Sequence, residues 1–215
     1  MEIDPSRRNR VLQAVAITIG ALPAVQLIVS ALTDGLGANP VERATHVTGD
    51  WALRFLLSSL AITPMRRLFG WSWAAPLRRT LGLIAFGYAC CHYLIYLGLE
   101  HMFDWPLIVE DLLVRRYVWA GFLAFLFLML LAATSTRAMM RRLGRHWVSL
   151  HRLGYLAAIL GVIHFLWLVK SDLREPLLYA AVLTLLLGLR LWFWLARSRS
   201  SKATPNKAES QTSQA

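Results

Sequence analysis

The sequence predicts an all-α integral membrane bundle of six transmembrane helices with both termini cytoplasmic. Three observations predict it. Apolar types make up 57% of the 215 residues and charged types only 16%, against ~45–50% and ~25% in a soluble domain. The apolar residues gather in six runs near the ~20 residues that cross a bilayer as helix. The connections between those runs alternate in charge.

Val11–Leu32 is the first run, uncharged and too long for the apolar region of a cleaved signal peptide, so it reads as a retained anchor. Thr48–Met65 is shorter and carries Arg54. Thr80–Leu99 and Tyr117–Thr136 are uncharged. Trp147–Val169 is apolar except for His151, Arg152 and His164, and Leu177–Ala196 except for Arg190. This divides the chain into a cytoplasmic N-terminus (1–10), a six-helix domain (11–196) and a tail (197–215). The tail is rich in Ser, Lys, Thr and Gln, has little to bury, and is expected to be disordered and cytoplasmic.

Orientation follows from the connections. Basic residues cluster before the first run (Arg7, Arg8, Arg10), between the second and third (Arg66, Arg67, Arg78, Arg79), between the fourth and fifth (Arg137, Arg141, Arg142, Arg145) and after the sixth (Arg197, Arg199, Lys202, Lys207). The other loops carry most of the acids, among them Asp34, Glu42, Glu100, Asp104, Asp111 and Asp172. Basic loops stay cytoplasmic, so the acidic loops face outward. The net charge of +11 is thereby explained by topology. It is dispersed over four short segments with no continuous basic patch, which argues against nucleic-acid binding.

No connection is long enough for a catalytic domain, and no P-loop, G-x-G-x-x-G or H-E-x-x-H motif is present. Cys90 and Cys91 are adjacent and cannot staple distant segments. Chemistry must therefore come from cofactors or residues inside the bundle. Ionisable residues within a membrane point to function, and His92, His151 and His164 fall within runs. The third and fifth runs both lead from inside to outside. His92 lies ~18 Å and His164 ~25 Å along them, so both belong in the outer half. Neutral imidazole is a common metal ligand, and two imidazoles at a shared depth on neighbouring helices suit a haem between them. The plainer reading is that each histidine hydrogen-bonds a neighbouring helix. His151 lies near the cytoplasmic end, ~140° around an ideal helix from His164. The two need either a helix distortion or different neighbours. Counting back from His92 to the level of His151 reaches Arg78 and Arg79, so the inner level is incomplete.

The arginines carry two readings each. Arg54 either pairs a haem propionate or snorkels to the outer interface. Arg78, Arg79, Arg141 and Arg142 suit propionates, a flavin phosphate or lipid headgroups, and equally serve as topology anchors.

Several segments carry a family resemblance: T-G-D-W-A-L-R-F-L (48–56), I-T-P-M-R-R-L (62–68), R-R-T-L-G-L (78–83), T-S-T (134–136), R-R-L-G (141–144), L-H-R-L-G-Y-L (150–156) and H-F-L-W-L-V-K (164–170). Over residues 8–192 the chain resembles the YedZ/MsrQ family of the ferric-reductase-like transmembrane superfamily. The resemblance implies a bacterial inner-membrane haem-binding subunit of a methionine sulfoxide reductase system. It implies electron transfer from the quinone pool or a cytosolic flavin reductase to an MsrP-like periplasmic molybdopterin enzyme, where the substrate chemistry takes place. It also implies one or two b-type haems, FMN, and haem binding by His92, His151 and His164. The alternatives are a stand-alone transmembrane ferric or small-molecule reductase, which lacks here its attached flavin domain, and a histidine-dependent transporter.

Overall fold

The computed structural model describes residues 4–202 and contains no strand among them. Helix α1 (Pro5–Leu32) starts at Asp4, whose carboxylate accepts from the Ser6 N–H at 3.0 Å. Helix α2 (Pro40–Phe69) is capped by Asn39 and stopped by Gly70, which adopts φ 70°. A left-handed residue of this kind ends helices most easily as glycine. A short 3₁₀ turn (Ser72–Ala74) leads into α3 (Leu77–Ile95), which widens into a π-turn over Tyr96–Glu100. Then follow α4 (Trp105–Val114), α5 (Arg116–Ala133), α6 (Arg137–Leu143), α7 (Arg145–Leu150), α8 (Leu153–Leu168) and α9 (Arg174–Lys202).

Among the described residues five segments are long and apolar enough to cross a membrane: α1, Ser72–Glu100, α5, Arg145–Leu168 and Arg174–Ser198. The sixth expected run lies within α2. That helix has 30 residues, so length is not limiting. Asp50, Arg54 and the hydroxyls of Thr48, Ser58 and Ser59 make it less apolar than the others. Three short helices were not expected: α4 on the connection before α5, and α6 and α7 on the connection after it. Each is far below a spanning length. The expected tail begins at Arg197, but α9 continues as helix to Lys202. The rest of that tail, 203–215, lies outside the described residues.

The bundle is organised around two helix pairs, α2 with α3 and α5 with α8. Ala85, Ala157 and Ala158 are fully buried where these helices meet, and small residues let helix backbones approach closely in a membrane. Leu53, Leu56 and Leu60 of α2 and Leu183 and Leu186 of α9 fill the centre. Helix α1 packs on α3 and α2. Pro23 interrupts it, and the Tyr88 hydroxyl enters the opened ladder, accepting from Ala24 N–H at 3.0 Å and donating to the Gly20 carbonyl at 2.7 Å. Insertion of a side chain beside a proline is a recognised cause of a helix bend. Arg190 of α9 is answered by the Leu60 carbonyl at 2.8 Å and by the Tyr155 ring at 4.3 Å.

Candidate functional site

A cavity of about 790 Å³ opens between α2, α3, α4, α5 and α8, within the size range of a cofactor site. Its walls are mostly apolar, from Leu53 on α2, Tyr93 on α3, Phe125 on α5 and Leu168 on α8. Two histidines face each other across it. The ring centroids of His92 and His164 are 6.1 Å apart with planes at 88°. Each Nδ1 meets a carbonyl: His92 that of Thr45 at 2.9 Å, His164 that of Tyr117 at 2.7 Å. A carbonyl only accepts, so each Nδ1 carries the proton and each Nε2 keeps its lone pair. This is the orientation a ligating histidine takes when a backbone carbonyl holds its other nitrogen.

Two glycines make that orientation sterically possible. A Cβ on Gly121 would lie 2.7 Å from Nδ1 of His164, and one on Gly49 would lie 3.1 Å from Nδ1 of His92. Each glycine follows its carbonyl by one helical turn, so each ring lies flat on the neighbouring helix while bonding the turn before. The donor set fits a bis-imidazole haem. An imidazole nitrogen sits about 2 Å from a transition metal, which puts two such rings about 6 Å apart by centroid.

A second cavity of about 570 Å³ lies at the other end of α3 and α8. Arg67, Arg78, Arg79, Arg152 and Arg197 line it with His151, and among the described residues no carboxylate lines it. The His151 ring stacks on Trp147 at 3.9 Å and donates Nδ1–H to the Trp147 carbonyl at 3.1 Å. Its Nε2 faces Ser135 Oγ at 3.3 Å, but that hydroxyl already donates to the Leu131 carbonyl at 2.7 Å. Between α7 and α8 the chain keeps right-handed helical dihedrals at His151 and Arg152 but tightens locally, with Tyr155 N–H on the Arg152 carbonyl at 3.0 Å. Of the two alternatives for His151 and His164, different neighbours is the one found: they line separate cavities. A second bis-imidazole group does not fit here, because His151 is the single imidazole on the lining.

The family model of the ferric reductase like transmembrane component matches residues 48–162. The chain is 52% identical over 169 residues to a protein of Rhodospirillum rubrum named protein-methionine-sulfoxide reductase heme-binding subunit MsrQ, covering 78% of this chain and 81% of that one. A protein of the same name from Xanthomonas euvesicatoria pv. vesicatoria is 51% identical over 178 residues, 82% of each chain. Another from Herminiimonas arsenicoxydans is 43% identical over 206 residues, 94% of each. The chain belongs to the MsrQ family.

In this MsrQ-family chain the arginines separate by position. Arg78 and Arg79 reach the second cavity, the one expected on the inner side. Arg141 and Arg142 lie on α6 and are not on its lining. Arg54 is not on the outer lining either. Its Nε donates to the Tyr179 hydroxyl at 2.7 Å, a terminal nitrogen is 3.7 Å from Asp50, and the guanidinium stacks over Trp51 at 4.9 Å.

Sequence reasoning missed Gly49 and Gly121, and the signal for them was an internal repeat. One shift carries Leu81, Gly82, Ala85 and His92 onto Leu153, Gly154, Ala157 and His164. The same shift carries Gly49 onto Gly121 and Thr45 onto Tyr117, and the two carbonyl-to-histidine separations are both 47 residues. It also carries Arg79 onto His151, which is why the inner level has one imidazole and the outer level two.

Proposed function

We propose that the chain is a membrane electron-transfer subunit of a methionine sulfoxide reductase system, with a b-type haem held between His92 and His164. One observation carries the reading: two imidazoles 6.1 Å apart, each with Nδ1 bonded to a carbonyl and Nε2 free toward the cavity. The names of the MsrQ relatives support haem and the reductase system. When bound there, the haem supplies one-electron chemistry at a potential set by its ligands and surroundings. The chain's own residues supply the rest. The carbonyls of Thr45 and Tyr117 fix both imidazole orientations, and Phe125, Leu53 and Leu168 keep water from the cavity walls. The experiment is the visible spectrum of the purified protein in detergent. A reduced b-type spectrum with low-spin axial ligation is expected, and a protein without haem bands would sink the reading.

The six-span topology belongs to this proposal, with α2 as the sixth span, both termini cytoplasmic and the bundle in the inner membrane. The alternation of basic and acidic connections supports it. A reporter fused after Ser198 is expected to be active only if it folds in the cytoplasm. Activity there of a reporter that works only in the periplasm would mean a reversed orientation or an odd number of spans. The outer cavity then faces the periplasm, where an MsrP-like molybdopterin reductase would accept electrons.

Electron entry falls to the inner cavity, from the quinone pool or a flavin reductase. Among the described residues its five arginines share the lining with no carboxylate, which favours an anionic group such as the FMN phosphate. Arg78 and Arg79 are the members shared with the sequence expectation. Lysine keeps the charge that orients the chain but loses the planar fork. The double variant Arg78→Lys, Arg79→Lys is therefore expected to insert normally while flavin content or haem reduction rate falls several-fold. Unchanged flavin and unchanged reduction in that variant would leave both arginines as topology anchors.

A further inference from the structure

The connection between α3 and α5 contains a buried ionic cluster that the site described so far does not use. Asp111 of α4 is only 9% exposed. One carboxylate oxygen is 3.0 Å from His101 Nε2, and the other is 3.2 Å from Arg115 Nε. The Nδ1 of His101 is 3.2 Å from the Tyr96 carbonyl. Both nitrogens of His101 thus face oxygens, and the carbonyl can only accept. Nδ1 must donate to it, and the contact with Asp111 is a hydrogen bond only while a proton lies between them.

The backbone around the cluster is unusual. The π-turn Tyr96–Glu100 ends at His101, and π-turns concentrate at functional positions. Met102 and Phe103 follow with φ of 48° and 59°. Two successive non-glycine residues in the left-handed region persist only where their surroundings hold them. The Phe103 ring packs at Gly98, 3.3 Å from where a Cβ would stand. This turn presents His101 to Asp111.

Another stripe of α4 lines the outer cavity. Trp105, Ile108, Val109 and Leu112 recur at helical spacing and all line it. Helix α4 has only ten residues and would not be stable alone. We propose that Asp111 is a positioning residue: clamped by His101 and Arg115, it holds α4 as a closed apolar cap over the outer cavity and so sets the water access and reduction potential of the group bound there. The part that concerns potential rests on the haem reading above; the cap itself does not.

The test measures amide hydrogen exchange across Trp105–Val114 in the full chain, in detergent or nanodiscs, together with the midpoint potential of any bound haem. Replacing Asp111 by Leu removes both charge-assisted hydrogen bonds. Exchange in α4 is expected to accelerate about tenfold or more, with α5 and α8 unchanged. Asp111→Asn keeps a single acceptor oxygen, enough for one of the two partners that now meet different oxygens, and is expected to give a smaller acceleration in the same helix. In both variants the haem potential shifts in the order of the exchange rates. Unchanged exchange in α4 with Asp111→Leu overturns the proposal, and so does equal acceleration in α5 and α8, which would make Asp111 a support of the whole bundle. If the wild-type chain binds no haem, the exchange result still decides the cap, and it is the haem reading that fails.

Discussion

His164→Ala is expected to abolish low-spin haem binding in the outer cavity while the protein remains inserted and folded. His92→Ala is expected to do the same. Each imidazole would provide one of the two ligating nitrogens, and alanine has none; of the other ionisable groups on the lining, His46 faces Glu42 and Asp50 faces Arg54. Folding should survive, because each substitution removes one hydrogen bond, to Tyr117 or to Thr45, worth about 0.5–1.5 kcal/mol net. Haem content and the reduced spectrum are the measurements, with thermal unfolding as the control. A wild-type spectrum in both variants would disprove the assignment of the outer pair.

Gly121→Ala is expected to reduce outer-haem occupancy tenfold or more, although the substitution touches no ligating atom. The new Cβ would stand 2.7 Å from Nδ1 and 2.9 Å from Cε1 of His164, closer than any carbon is found to such atoms. The ring must rotate or leave α5, and either movement breaks the 2.7 Å bond to the Tyr117 carbonyl that orients it. Tenfold corresponds to about 1.4 kcal/mol, within the range for forcing one extra methyl into a packed site. Gly49→Ala meets His92 at 3.1 Å and is expected to act in the same direction but less. Gly87→Ala is the control. Nothing lies within 4 Å of its Cβ position, and alanine is favoured over glycine in a helix by about 1 kcal/mol, so this variant should keep its haem and unfold at a higher temperature. If Gly121→Ala binds haem like Gly87→Ala, the packing of His164 on α5 does not position the ligand.

The histidines illustrate how much of the site was legible in the chain. His92 and His164 stood out because an imidazole in an apolar span is rare and costly, and their depth followed from counting residues along two helices that run the same way. The partners that orient them did not stand out. Thr45 and Tyr117 act through their carbonyls, which every residue has, and Gly49 and Gly121 act through the absence of a side chain. The inner arginines show the same division. Charge alone made Arg78, Arg79, Arg141 and Arg142 equivalent, whereas position on α3 or α6 separates the pair that lines the inner cavity from the pair that does not.

By itself, then, the amino-acid sequence determined the apolar runs, their alternating basic and acidic connections and the small set of residues able to ligate a metal, because hydropathy, charge and side-chain chemistry are properties of the chain read in order. It also set the expected α2 span apart from the five more apolar ones, since that run is shorter and carries Arg54. Only the tertiary structure decided that His151 and His164 line different cavities, that Arg54 answers Asp50 and Tyr179, and that α4 lies along the outer cavity with Asp111 against His101 and Arg115. These outcomes depend on which helix faces meet, and contacts between helices join residues as far apart as 47 positions in the outer site and 125 between Arg54 and Tyr179. No local pattern encodes such pairings; they arise when close packing selects one arrangement of the helices in which the buried polar groups find partners.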